Sequence, residues 1–168
     1  IAFGGNSIGP NAFPWALYSR GGTCTQNADC GTGTCVDGVC CNTACTGACQ
    51  ACTAVKKGAG LNGLCGTIAS GTDPDDECPG ANVCAAGGCK LPNGEACVSG
   101  ASCFAGFCVD GVCCDSGCLG TCQACTAAKK GSGADGACGA IAVGTDPDNE
   151  CGGPTTCSGA GTCALGSA

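Results

Sequence analysis

A small disulfide-rich fold is predicted: two tandem cysteine-rich modules with short β-hairpins, little regular secondary structure and an extended N-terminal arm. Three observations predict it. First, 24 of 168 residues are cysteine, a density that marks a disulfide scaffold. Second, the cysteines form two sets of twelve that superimpose on a shift of 73 positions. Cys24, Cys30, Cys35, Cys40, Cys41, Cys45, Cys49, Cys52, Cys65, Cys78 and Cys84 become Cys97, Cys103, Cys108, Cys113, Cys114, Cys118, Cys122, Cys125, Cys138, Cys151 and Cys157. The last pair, Cys89 and Cys163, slips by one residue. Third, Leu, Ile, Val and Phe together number only 22, too few for either module to hold itself together by an apolar core. An even cysteine count in each module permits full internal pairing. Covalent bridges then replace the core, each worth about 3 kcal/mol for a loop of ~15 residues.

Charge narrows the functional classes. The net charge is −7 with only six basic residues, which argues against nucleic acid and against anionic membrane surfaces. No apolar run approaches the ~20 residues of a membrane span, so no membrane insertion is expected. Dense cysteine pairing requires an oxidising compartment, hence a secreted, extracellular or cell-surface location. The chain begins at Ile1, which suggests a processed product or a piece of a longer protein.

The parts follow in order. Residues 1–23 form a cysteine-free arm carrying Phe3, Phe13, Trp15 and Tyr18, four of the six aromatics. Pro10 and Pro14 break any helix there and favour an extended path. The arm either folds back on its own modules or docks on a neighbouring subunit. Module one spans 24–93 and module two 94–168, with about 60% identity between 24–84 and its copy. CVDGVCC, at 35–41 and 108–114, reads as a tight hairpin, because Asp37-Gly38 and Asp110-Gly111 are type I′ turn dipeptides. Cys45, Cys49 and Cys52 stand at i, i+4 and i+7, the spacing of one face of a short helix. Lys56 and Lys57 then fall in its last turn, with Gly58 as the C-cap. The Gly-rich intervals between Cys52, Cys65 and Cys78 read as loops with short strands. Phe104 and Phe107 replace Gly31 and Thr34 of the first copy. Only module two therefore offers an aromatic pair there, as an acceptor for the arm of a neighbouring subunit.

Candidate chemistry is sparse. CxxC occurs once per module, Cys49–Cys52 and Cys122–Cys125, but a four-thiolate zinc site needs a second pair of similar spacing and the chain has no His. Disulfides are the favoured state. The turns GTDPDDEC (71–78) and GTDPDNEC (144–151) bring Asp73, Asp75, Asp76 and Glu77, and Asp146, Asp148 and Glu150, into single loops. Oxygen ligands of this kind suit Ca²⁺; the favoured alternative is an Asp-Pro-Asp turn whose carboxylates cap backbone N–H groups. With no His, one Arg and no serine elbow, neither a triad nor a general-base pair can be assembled, so no enzyme and no cofactor are expected. Lys56-Lys57 and Lys129-Lys130 admit a protease-inhibitory loop, though a solvated helix end is the plainer reading.

The shared core CVDGVCC-x₃-C-x₃-CQAC and the DPD-x-EC ending resemble cysteine-rich repeats of large secreted and surface proteins of myxobacteria and related bacteria. The likeness spans 24–163 and implies export; it carries no site residues over. The C-x₅-C-x₄-C-x₄-CC opening is also loosely similar to knottin-type domains.

The sequence therefore points to a bacterial extracellular structural protein. It would be a subunit of a disulfide-stabilised fibre or surface layer, assembled head-to-tail with copies of itself through the arm. The alternatives are a surface adhesion module that binds a protein or glycan and, more distantly, a protease inhibitor. Spacing alone leaves the bridge connectivity open, except that Cys40 and Cys41 must take different partners.

Overall fold

In the computed structural model, residues 20–31 and 33–166 are described; the aromatic residues Phe3, Phe13, Trp15 and Tyr18 of the arm lie outside them. All 24 cysteines are disulfide-bonded, a state that oxidising extracellular compartments maintain. The same order of pairing recurs in both modules. Numbering the cysteines of each module from one to twelve, the first pairs with the third and the second with the fourth: Cys24–Cys35, Cys30–Cys40, Cys97–Cys108 and Cys103–Cys113. The fifth pairs with the eighth and the sixth with the ninth: Cys41–Cys52, Cys45–Cys65, Cys114–Cys125 and Cys118–Cys138. The tenth pairs with the twelfth, as Cys78–Cys89 and Cys151–Cys163. In module two the seventh pairs with the eleventh, Cys122–Cys157; Cys49 and Cys84 are each disulfide-bonded as well. Cys40 and Cys41 do diverge, to Cys30 and Cys52.

The described residues pack as two compact units, divided between Glu77 and Cys78. In the first, β1 (Cys35–Val36) and β2 (Val39–Cys40) form the expected hairpin. Asp37 and Gly38 adopt φ of 54° and 74°, the left-handed pair that a type I′ turn demands. Strand β3 (Gln50–Ala51) pairs antiparallel with β4 (Gly66–Thr67). Between them α1 (Ala54–Lys57) makes a single turn closed by Gly58 at φ 73°, whose N–H donates to the Val55 carbonyl. The capping glycine and both lysines fall where the sequence placed them. The helix over Cys45–Cys52 does not form: Cys45 and Cys49 sit at φ 46° and 59°, and Gln50–Ala51 is strand. Two left-handed residues exclude a right-handed helix, so the 4-3 spacing reflects bridge geometry instead.

In the second unit, β5 (Val83–Ala85) and β6 (Gly88–Lys90) make a hairpin around Ala86-Gly87, both at positive φ. The repeat assigns this hairpin to module one; packing assigns it to the second unit. Strands β7 (Phe107–Val109) and β8 (Val112–Cys114) repeat the Asp-Gly hairpin. Next come β9 (Gln123–Ala124), α2 (Ala127–Lys130) and β10 (Gly139–Ala140), which pairs with β9. The last hairpin joins β11 (Thr155–Cys157) to β12 (Cys163–Leu165). Cys84 faces Cys89 and Cys157 faces Cys163, so the one-residue slip between repeats is a hairpin tip longer by one residue, 159–161 in place of 86–87. The disulfide framework is unchanged by it.

Sulfur fills both interiors. Cys41 and Cys52 pack with Val39 in the first unit, and Cys122 and Cys157 with Ala124 and Ile141 in the second. Among the described residues, Ile141 is the one fully buried side chain larger than cysteine. Backbone meets backbone closely as a result. A Cβ on Gly136, at φ 91°, would stand 2.3 Å from the Gly94 nitrogen, whereas one on Gly152 would meet nothing within 4 Å. Gly136→Ala is therefore expected to lower stability by at least about 2 kcal/mol, from φ strain and a forced backbone shift, and Gly152→Ala to change it by less than about 0.5 kcal/mol. Guanidinium unfolding of the oxidised protein measures both.

Candidate functional site

The polar residues that recur in both repeats converge on one motif. The Asp37 carboxylate projects from the β1–β2 turn and accepts the Cys52 N–H at 2.6 Å and the Lys56 ammonium at 2.6 Å. Lys56 reaches from α1 and also binds Asp75 of the acidic turn. In module two, Asp110 accepts from the Cys125 N–H at 2.7 Å and from Lys129 at 2.5 Å, while Lys129 also binds Asp148 at 2.5 Å. One lysine thus clamps a hairpin turn to a loop, 19 residues away on either side. Sequence reasoning took these three residue types one at a time; the signal it missed is their joint recurrence in both repeats.

Electrostatics follow from the geometry. Burial pushes the Asp37 and Asp110 carboxyls up, but the lysine and the backbone N–H groups outweigh it and hold both below the ordinary carboxylate value. Burial likewise pushes Lys56 and Lys129 down, and their two carboxylates more than reverse it, leaving both raised. The ion pairs are partly exposed, with lysine side chains about one quarter accessible, so solvent screens them and they orient more than they stabilise.

The acidic turns behave as caps. Asp73 and Asp146 accept the N–H of Glu77 at 3.0 Å and Glu150 at 2.9 Å, four residues on. Glu77 and Glu150 accept the N–H groups of Cys49 at 3.0 Å and Cys122 at 2.5 Å. These contacts tie each turn to the left-handed cysteine of the preceding loop. Asp76 and Asn149, at φ 52° and 53°, occupy the left-handed place that Asp and Asn tolerate. Hence Asp73, Asp75, Asp146 and Asp148, the candidate Ca²⁺ ligands, already serve backbone N–H groups and a lysine.

The second lysine of each pair is also held internally. Lys57 donates to the carbonyls of Leu61 and Leu64 at 2.8 and 2.6 Å, and Lys130 to those of Ala134 and Ala137 at the same distances. Asn62 and Asp135, which the sequence reading overlooked, cap the first N–H of each short helix at 2.8 and 2.6 Å. Among the described residues, no buried side-chain nitrogen or oxygen lacks a hydrogen-bond partner.

Several large apolar side chains remain accessible. Phe104 and Phe107 are 40% and 43% exposed. The Phe104 N–H donates to the Leu91 carbonyl at 2.8 Å, so that backbone position is already filled by the segment joining the repeats. The Phe107 ring and Leu119 lie together against Gly117. Leu119 replaces Thr46 of the first repeat, a difference that marked it alongside the phenylalanines and that the sequence reading passed over. Among the described residues, no helix is long and apolar enough to cross a membrane.

A scan against protein-family models, a search of curated proteins and a search of solved structures each find no match. The class defined by fold and geometry is a tandem disulfide-rich repeat protein.

Two outcomes are expected. Asp37 and Asp110 are depressed in the fold, so their contribution is present above pH ~4 and is lost as pH falls through their folded values; Lys56 and Lys129 are raised, so theirs is present below pH ~10.4 and is lost above it. Amide exchange at Cys52 and Cys125 should thus accelerate as the pH falls below the ordinary carboxylate range, after correction for intrinsic exchange, with all bridges intact. Separately, calorimetric titration with Ca²⁺ should show no sub-millimolar binding, and chelation should leave the unfolding midpoint unchanged.

Proposed function

We propose that this chain is an extracellular structural protein. In this reading it is a subunit of a fibre or surface layer that associates head-to-tail with copies of itself, and its N-terminal arm takes part in the contact. The observation that carries the reading is the repeated, fully bridged framework whose recurring Asp, Glu and Lys side chains bond to turns and caps. Such a module resists unfolding and proteolysis, because most of its loops are covalently closed. The accessible apolar positions and the aromatic arm then supply the contacts between units. The chain acts without catalysis or cofactor in this reading.

A second reading, a surface adhesion module for a protein or glycan, is favoured by one observation. Phe107 and Leu119 form an accessible apolar pair where module one has Thr34 and Thr46. The protease-inhibitor reading loses its basis, since Lys56, Lys57, Lys129 and Lys130 all have intramolecular acceptors.

Negative-stain microscopy of the native protein should show ordered polymers that persist without reductant and fall apart with it. Deleting residues 1–20 should abolish them. A monomer that gains order only with a glycan or protein ligand would establish the adhesion reading instead.

A further inference from the structure

The segment between the repeats forms a joint whose two halves recur elsewhere in the chain. Leu91, immediately after β6, makes a parallel bridge with Cys103. Its N–H donates to the Ser102 carbonyl at 2.9 Å, and its carbonyl accepts the Phe104 N–H at 2.8 Å. Leu91 can do this because it lies opposite residue 82, one step beyond the Val83–Lys90 pair. At that step of an antiparallel ladder, N–H and C=O point away from the partner strand.

The end of module two repeats the donor half. The Ser158 N–H donates to the Thr162 carbonyl at 2.8 Å, so the 156–164 pair bonds inward and the 155–165 pair does not. The backbone groups of Leu165 therefore face outward, as those of Leu91 do. Leu91 is half-buried in its joint, whereas Leu165 is 73% exposed. Leu165 also borders an open groove of about 340 Å³ with Val143, Thr156 and Ser158.

The start of module one repeats the acceptor half. Asn27–Asp29 forms the same 3-10 turn as Gly100–Ser102, and each leads into the second cysteine of its module. Asp29 and Gly31 stand where Ser102 and Phe104 stand, 73 positions earlier. Among the described residues, the Gly31 N–H has no hydrogen-bond partner, and the Asp29 carbonyl meets only the Cys40 sulfur, at 3.9 Å. Gly31 is exposed.

From these two halves we infer that Leu165 of one copy pairs in parallel with the Asp29–Gly31 segment of a second copy. The contact reproduces between molecules the joint that Leu91 makes within one. The Leu165 N–H donates to the Asp29 carbonyl, and the Gly31 N–H donates to the Leu165 carbonyl. The occupant is a second copy because the acceptor is built from this repeat's own turn and cysteine, and the matching joint is already formed inside the chain. The inference rests on the self-association proposed above and sets a defined backbone pairing beside the arm contact.

The test is sedimentation equilibrium of the full oxidised chain up to about 1 mM, a range suited to a two-bond contact, with amide exchange at Gly31 followed alongside. Leu165→Pro removes the donor N–H and lies beyond Cys163, outside every bridged loop, while Leu165→Ala keeps the N–H. Support consists of concentration-dependent association that protects Gly31, is weakened at least ~10-fold by Leu165→Pro and is weakened less by Leu165→Ala. If the chain associates with Gly31 unprotected, Leu165→Pro has no effect and loss of residues 1–20 abolishes assembly, the joint is overturned and the arm-mediated reading stands. A chain that stays monomeric throughout overturns both.

Discussion

Sulfur bridges set the terms for everything else in this protein. An ordinary domain fixes its turns by burying large apolar side chains around them; here almost none are available, and the interiors hold cystine, alanine and the few side chains Val39, Ile68 and Ile141. A bridge across about ten residues limits the unfolded chain strongly, but it specifies only two Cα positions. The backbone between must be set by local means. Asp-Gly turns, left-handed cysteines and carboxylate caps supply them, and the lysine clamp ties the hairpin to the acidic loop.

Those local means differ in how openly they show in one dimension. The Asp37-Gly38 hairpin was legible because turn chemistry is a dipeptide property, and Gly58 was legible because helix termination is too. Cys45, Cys49 and Cys52 were misread as a helix face, since periodicity reports a helix only where packing against a core sets the period. In this chain the period is set by where Cys41, Cys65 and the other bridge partners lie. The Ala86-Gly87 hairpin escaped notice for want of β-branched flanks. The Asp–Lys–Asp clamp escaped because its members are distant in sequence and meet only in the folded module, although their matched recurrence could have exposed them. Arm residues 1–19, including all four of its aromatics, lie outside the described structure.

Duplication explains how one solution serves twice. Each carboxylate and lysine of the clamp, and each loop cap, has a counterpart after 73 residues, with Asp or Asn exchanged where either accepts the same bond. Asn42 and Asp115 illustrate this: both accept the N–H of the ninth cysteine, at 2.7 and 2.9 Å. Divergence is concentrated in exposed positions such as Thr34 to Phe107 and Thr46 to Leu119. The framework and the differences between the copies are therefore carried by separate residues.

The unequal tips of the two final hairpins have a practical meaning. Since the three-residue tip 159–161 stands where the two-residue tip 86–87 suffices, and the flanking Cys157 and Cys163 keep their pairing, the framework accommodates an added residue at that spot. Foreign peptide spliced between Gly159 and Gly161 would be displayed on a covalently closed stem, making this loop the natural graft point for epitopes, tags or enzymes on any material built from the repeat.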